Sequence, residues 1–266
     1  MLITIQHTTT YRFEEPVHFG LQQLRMTPAS DASQTVSDWV LDVNGGKIET
    51  GFNDHHSNHV DLISLNKDIT EVTVTCQGKV QTTDTNGVIG PHKGPAPIWL
   101  FLKETERTKA GPSVRRLARQ VEGDSDLARM HNLMDLIAEA VTYQTGSSES
   151  DWSAEDAVME GHGVCQDHAH IFIACARDMG LPARYVSGYL VMNDRTDQDA
   201  MHAWAETYIE GLGWVGFDVS NAMCPDERYV RVATGLDYSD AAPVTGTRVG
   251  GKTESLSVQI QVAQQQ

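Results

Sequence analysis

Residues 161–190 read GHGVCQDHAHIFIACARDMGLPARYVSGYL, and this stretch decides the fold. Two glycines mark a tight turn, and Cys165 follows them at the start of a segment with helical spacing of apolar residues that runs to about Asp178. Gly180 and Pro182 then stand where a helix C-cap and a helix breaker are expected. The next run, RYVSGYLV, is rich in β-branched and aromatic residues. The stretch therefore predicts a helix that begins at Cys165, followed by a strand.

A β-hairpin is predicted after this helix and strand. Residues 201–209 read MHAWAETYI and residues 214–219 read WVGFDV, with a glycine-containing turn at 211–213 between them. His202 stands near the start of the first strand, and Asp218 stands near the end of the second. Because an antiparallel hairpin places the start of one strand beside the end of the other, we expect His202 and Asp218 to be neighbours.

Cys165, His202 and Asp218 have the chemistry of a nucleophilic triad. A cysteine attacks as the thiolate, which is favoured at a helix N-terminus and beside a His that takes the proton. A carboxylate at the back of the imidazole fixes the tautomer and favours the charged form. We therefore expect Cys165 to be the nucleophile, His202 its base and Asp218 the residue that orients the base.

The same stretches resemble the core of bacterial transglutaminase-like proteins. The helix start GHGVCQD, the strand ARYVSGY and the segments HAWAE and WVGFD match the motifs of that family in order, and the tail GLDYSDAAPVTGTRVGG is similar to its ending. The resemblance implies a papain-like core with the triad at Cys165, His202 and Asp218, preceded by a β-rich companion domain. One departure is Val219-Ser220 after the triad Asp, where the family usually has Pro-Thr.

The triad and the resemblance together predict a cysteine-dependent acyl-transfer enzyme with a peptide or protein substrate and no cofactor. The thiolate attacks a peptide or carboxamide carbonyl and forms a thioester, which passes its acyl group to water or to an amine. We expect hydrolysis, because excluding water is the harder requirement. A protein cross-linking or deamidating transglutaminase is an alternative. Two further alternatives are an arylamine-type acyltransferase and a catalytically silent peptide-binding module.

Further residues are candidates for binding substrate or for stabilising an oxyanion. They are Val164, Gln166, Trp204 and Trp214. The first N–H groups of a helix lack intrahelical acceptors and can face a developing negative charge. The two tryptophans are expected in the core or along the acyl cleft, and a structural role is expected for Asp167 near the helix start.

Histidines crowd together in two parts of the sequence. They are His162, His168 and His170 around Cys165, and His55, His56 and His59 in the N-terminal region. Zinc binds Cys and His, but His168 and His170 are two residues apart and so point to different helix faces. We therefore expect no metal in the first group, and the sequence assigns no role to the second.

The chain is predicted to divide into an N-terminal domain at 1–82, a linker at 83–97 and a transglutaminase-like core at 98–266. Short β-branched runs separated by turn signals predict an antiparallel β-sandwich in the first part, whereas Gly and Pro dominate the linker. In the core, Pro112, Asp124 or Ser125, and Ser153 mark helix starts, and residues 256–262 alternate as an edge or closing strand. The fold class is α+β, with a central helix packed on an antiparallel sheet.

Charge and composition narrow the possible partners. Lys and Arg number 20 and Asp and Glu number 36, so the formal charge is −16. Nucleic acid and anionic membrane surfaces would repel such a chain. No apolar run is long enough to span a bilayer and no export signal is recognised, so a cytoplasmic protein with free cysteines is expected. The sequence makes no prediction of the oligomeric state.

Overall fold

Two antiparallel sheets, one short pair of parallel strands and a layer of helices form the protein in a computed structural model, which describes residues 1–149 and 151–265. The strands are β1 (Leu2–Leu24), β2 (Gln34–Asn44), β3 (Gly46–Asn53), β4 (His59–Leu65), β5 (Ile69–Thr82), β6 (Val88–Gly90), β7 (Thr142–Tyr143), β8 (His162–Gly163), β9 (Ala183–Leu190), β10 (Asp197–Gln198), β11 (His202–Ile209), β12 (Gly213–Phe217), β13 (Tyr229–Gly235), β14 (Val244–Gly250) and β15 (Glu254–Gln264). The α-helices are α1 (Pro112–Ala118), α2 (Asp126–Ala140), α3 (Ala154–Glu160), α4 (Cys165–Asp178) and α5 (Tyr238–Ala241).

The first sheet is organised around β1, which is 23 residues long. The first half of β1 pairs with β5 and β15, and its second half pairs with β4 and β14. Apolar residues of β1 and of its neighbouring strands pack into one cluster, which includes Val17 of β1, Ile63 of β4 and Val74 of β5. The predicted sandwich is thus a single curled antiparallel sheet. The sequence predicted only a short strand at 3–5, because the polar run that follows lacks an apolar alternation.

The last two strands of the chain also belong to this first sheet. β15 pairs with β1 from Ile3↔Gln264 to Phe13↔Glu254, so the predicted closing strand is present. The sequence predicts that residues 98–266 form one core. In the structure, β14 and β15 instead complete the sheet that the N-terminal residues begin. Alternation identifies a strand, but it does not say which distant strand becomes its partner.

The second sheet has the strand order β13-β9-β11-β12-β6. Helix α4 packs on it, with Phe172 stacked on Phe217 at 5.1 Å between ring centroids. Residues Asp167–Arg177 of α4 are buried, which agrees with the predicted central helix on an antiparallel sheet. Its edge strand β6 lies inside the predicted linker at 83–97.

Local signals predicted the starts of α1, α2 and α3, whereas the short α5 was not predicted. Pro112 is the first residue of α1. The Ser125 hydroxyl accepts from the N–H of Ala128 at the start of α2, and Ser153 forms a capping box at the start of α3. Within residues 1–149 and 151–265, no helix combines the length and the hydropathy needed to cross a bilayer.

The two sheets pack against each other beside α4. An apolar cluster joins β1 and β15 of the first sheet to β9 and β13 of the second, with Ile5, Tyr189 and Val230 among its members. Because this contact fixes the first sheet next to β9, one face of β1 lies near the start of α4.

Candidate active site

Cys165 is the first residue of α4 and is half-buried. The preceding residue, Val164, has an extended backbone and forms the N-cap position. Its N–H donates to Asp167 Oδ2 over 2.7 Å, so the buried Asp167 carboxylate fixes the turn that presents the thiol. The N–H groups of Cys165 and Gln166 lie in the first turn, where a helix offers no acceptor. The N–H of Val164 is therefore committed to the cap, whereas the N–H groups of Cys165 and Gln166 remain without an intrahelical acceptor.

A glycine is required just before this turn. A Cβ atom at Gly163 would lie 2.8 Å from both Cβ and Oδ2 of Asp167. Any side chain at this position would push the cap away from the N–H of Val164. The glycine in the sequence GHGVC thus permits the contact that holds the helix start.

His202 and Asp218 are brought together by the predicted hairpin. His202 is the first residue of β11, and Asp218 directly follows β12. His202 Nε2 lies 2.6 Å from Asp218 Oδ2, and both side chains are buried. His202 and Cys165 line the same two cavities, and Cys165 is one of the groups that raise the pKa of His202. The structure therefore brings all three predicted triad residues together.

Two further residues, which the sequence analysis did not single out, donate hydrogen bonds to Asp218. Tyr229 Oη donates to Asp218 Oδ2 over 2.8 Å, and Asn221 Nδ2 donates to the same oxygen over 2.7 Å. Asn221 lies only three residues beyond Asp218, so its position in the turn was a usable local signal. Tyr229 comes from β13, and no local pattern marks it.

These contacts set the charges at the site. Burial alone would lower the pKa of His202, but its hydrogen bonds to Asp218 and Cys165 and their negative charges raise that pKa to about 10. Burial would likewise raise the pKa of Asp218, and the hydrogen bonds from His202, Asn221 and Tyr229 together with the charge of His202 lower it. An imidazolium beside an ionised carboxylate is thus the favoured state.

The other cysteines have surroundings that oppose ionisation. Burial raises the pKa of Cys76 to about 11 and raises that of Cys175 still further. The pKa of the partly buried Cys224 is also raised by burial. All the cysteines are free thiols, and Cys165 is the one with a His partner at a helix start.

The remaining candidates lie in different places. Gln166 lines a cavity at Cys165. Trp204 is buried beside the triad, where its ring stacks on His202 at 6.1 Å between centroids. Trp214 packs elsewhere, with its ring 3.9 Å from the guanidinium carbon of Arg184 and its N–H donating to His92. The two tryptophans thus lie in different places. Trp204 packs against His202, and Trp214 packs against Arg184 and His92.

The histidine groups have separate local partners. His168 contacts Ser220 Oγ and the carbonyl of Val141, and His170 accepts from the N–H of Tyr238. His56 lies 3.3 Å from Asp240 and His59 lies 3.2 Å from Asp61. Among residues 1–149 and 151–265, no three His, Cys, Asp or Glu side chains are placed to hold one metal ion.

Comparisons with known proteins give the family of two parts of the chain. The family model of the transglutaminase-like superfamily matches residues 115–219, and that of the bacterial transglutaminase-like N-terminal region matches residues 3–81. An uncharacterized protein of Mycobacterium leprae is 28% identical over 275 aligned positions, which cover 97% of each chain. An uncharacterized protein of Mycobacterium tuberculosis is 26% identical over 91% of this chain and 86% of its own.

A solved structure with the same fold extends the comparison to three dimensions. The crystal structure of a protein from Cytophaga hutchinsonii, described as a candidate cysteine protease, superimposes with a TM-score of 0.78 and 25% identity. The match covers 99% of this chain and 90% of that one. A cysteine-dependent enzyme of this fold is supported by the likeness. Residues 115–219 thus belong to the transglutaminase-like superfamily, and residues 3–81 form a bacterial transglutaminase-like N-terminal region.

Proposed function

We propose that this protein hydrolyses peptide or amide bonds through a thioester on Cys165, with His202 as acid and base and Asp218 as the residue that orients His202. The observation that carries the proposal is the position of His202, which shares the lining of two cavities with Cys165 and lies 2.6 Å from Asp218. Its geometry matches the roles of nucleophile, base and orienting carboxylate.

The proposed reaction begins from the ion pair of the Cys165 thiolate and the His202 imidazolium. Sγ attacks the carbonyl carbon, and the N–H groups of Cys165 and Gln166 stabilise the oxyanion that forms. When the C–N bond breaks, His202 gives its proton to the leaving nitrogen, and a thioester remains. A water molecule then attacks the thioester and passes a proton to His202. The C–S bond breaks, the carboxylic acid leaves and the thiolate is restored.

Water access favours hydrolysis over transfer to an amine. Cys165 is half-buried rather than enclosed, and it lines two cavities that open to solvent. A thioester in this position is exposed to bulk water. The alternative, a transglutaminase reaction, has the same first half and differs only in the acceptor of the acyl group.

A peptide library that includes glutamine-containing sequences tests the proposal. The library is incubated with the protein in the presence and absence of a primary amine, and the products are identified by mass spectrometry. Hydrolysis gives cleaved or deamidated peptides under both conditions, whereas transfer gives amine adducts. The matched control is Cys165→Ala. Equal turnover by Cys165→Ala and by the unaltered protein would contradict the proposal that the Cys165 thiol is the nucleophile.

A further inference from the structure

Two cavities of different character meet at the Cys165 and His202 side chains. One has a volume of about 330 Å³ and extends towards the first sheet. The other, of about 450 Å³, extends past Tyr143 and Arg195. Both volumes fall in the range of about 300–1,000 Å³ that is typical of ligand sites. A substrate bound at Cys165 therefore has a place on either side of the attacked bond.

The smaller cavity is walled by the first sheet, whose side chains reach it from two adjacent strands. His7, Thr9 and Tyr11 alternate along β1 and so share one face. Across the strand pair, Thr9 faces Val258 and Tyr11 faces Leu256 of β15. These cross-strand pairs form a continuous surface opposite Cys165. The first and last strands of the chain thus build a wall of the cleft that contains the thiol.

Hydrogen bonds hold the polar part of this wall rigid. His7 Nδ1 lies 2.9 Å from Tyr189 Oη of the second sheet, and Thr9 Oγ1 lies 3.0 Å from His7 Nε2. His7 and Thr9 are buried. Since both ring nitrogens of His7 have partners, the imidazole is fixed between the two sheets. The wall is therefore preformed, which reduces the ordering cost of binding.

The wall is also uncharged. Burial lowers the pKa of His7 to about 4, so this imidazole is neutral near pH 7. Burial, with the charge of Glu254 as a second cause, raises the pKa of Tyr11 to about 12. The described residues that line the cavity include no Lys, Arg or Glu, and Asp199 at the rim is exposed. In contrast, the larger cavity is bordered by Arg195, Asp197 and Asp199.

We infer that the first sheet forms a specificity pocket that takes an uncharged, apolar substrate side chain next to the bond attacked by Cys165. A charged side chain would lose its hydration against this wall, which offers it no ionised partner. An apolar one would be buried against Val258 and the exposed face of Leu256. This inference rests on the proposed function and names the substrate class for the same site.

Protection of Cys165 from alkylation tests the pocket without requiring turnover. The probes are acetylated pentapeptide amides, Ala-Ala-X-Ala-Ala, with Phe, Leu, Glu or Lys at X, so that the variable side chain can bind on either side of the thiol. The rate of iodoacetamide labelling at Cys165 is followed by mass spectrometry. The Phe and Leu peptides are expected to halve this rate at concentrations about tenfold or more below those needed for the Glu and Lys peptides. Burial of one large apolar side chain corresponds to a factor of this size.

Leu256→Lys is the decisive variant, because Leu256 is 56% exposed and its replacement leaves the core intact. The added ammonium should abolish the preference for Phe and Leu and improve protection by the Glu peptide. The matched control is Ser257→Lys on the opposite face of β15, which should keep the preference of the unaltered protein. Each variant is compared with its own labelling rate without peptide.

The possible results separate this inference from the proposed function. Slow labelling of Cys165 without peptide would count against the activated thiol and so against the proposed function. Rapid labelling with equal protection by all four peptides would overturn the specificity pocket and leave the proposed chemistry standing. An apolar preference that Leu256→Lys leaves unchanged would also overturn it, because the side chain would then bind elsewhere.

Discussion

Tyr229 donates from Oη to Asp218 Oδ2 over 2.8 Å, at the same carboxylate oxygen that faces His202. The tyrosine ring also lies edge-on to Trp204, at 5.4 Å between centroids. Tyr229 thus reaches both the orienting carboxylate and the tryptophan that stacks on the imidazole. In the proposed reaction it acts on Cys165 only through His202, as a positioning residue.

Tyr229→Phe should weaken this arrangement while it keeps the ring. Loss of a buried hydrogen bond to a carboxylate should lower the free energy of unfolding by about 1–3 kcal/mol. The pKa of Asp218 should rise, because one of the donors that lower it is gone. Urea unfolding measures the first effect, and the pH dependence of Cys165 labelling measures the second. Tyr208→Phe on β11 is the control, and an equal loss in that variant would mean that the effect is not specific to Asp218.

Alkylation should distinguish Cys165 from the other cysteines. Near neutral pH, iodoacetamide should label Cys165 at least about tenfold faster than Cys76, Cys175 or Cys224, because one pKa unit changes the thiolate fraction tenfold and burial raises the pKa of these three thiols. His202→Ala should slow labelling at Cys165 and leave the others unchanged. Peptide mapping gives the rate at each cysteine. Labelling of all four at similar rates would argue against an activated thiol.

The stability of the protein should depend on His202 between neutral and alkaline pH. The pKa of His202 is raised from 6.5 to about 10, so its contribution to stability is complete below pH 6.5 and is lost as the pH rises through about 10. Asp218→Asn removes the carboxylate that raises this pKa. The difference in unfolding free energy between the unaltered protein and Asp218→Asn should therefore narrow from pH 6.5 to about 10.

A control at an exposed carboxylate identifies the source of that pH dependence. Asp135→Asn on α2 changes the same functional group outside the site, and Asp135 is exposed. Its difference from the unaltered protein should stay constant over the same pH interval. A difference for Asp218→Asn that also stays constant would mean that His202 does not gain its proton affinity from Asp218.

The sequence predicted the parts of the site that local chemistry determines. The glycines before Cys165 predicted the helix start, and the turn at 211–213 predicted that His202 and Asp218 meet. The helix starts near residues 125 and 153 were also predicted from their capping residues, because a cap acts within a few residues of its own position. These features need no knowledge of distant partners.

The features that escaped prediction depend on distant pairing. Tyr229 reaches Asp218 because β13 lies beside β9 in the second sheet. Thr9 and Val258 share one wall of the cavity at Cys165 because β1 pairs with β15, about 250 positions away in the chain. A strand pattern states which residues share a face, but the partner of that face is set by the tertiary fold. Trp204 and Trp214 both stand on predicted strands. For the same reason, the sequence could not say which of them lies beside His202.

Substitution of Asp167 at the helix start should lower both the stability of the protein and the reactivity of the Cys165 thiol. Asp167→Ala removes the acceptor for the N–H of Val164, and loss of such a cap costs about 0.5–2 kcal/mol. Because the same turn presents Cys165, labelling of this thiol by iodoacetamide should also slow. Asp167→Asn keeps a side-chain oxygen and should restore most of both properties. Asp178→Ala, at the other end of α4, removes an exposed carboxylate paired with Arg115 and should change neither. If Asp167→Ala lost stability but labelled at the original rate, Asp167 would support the helix without positioning the nucleophile.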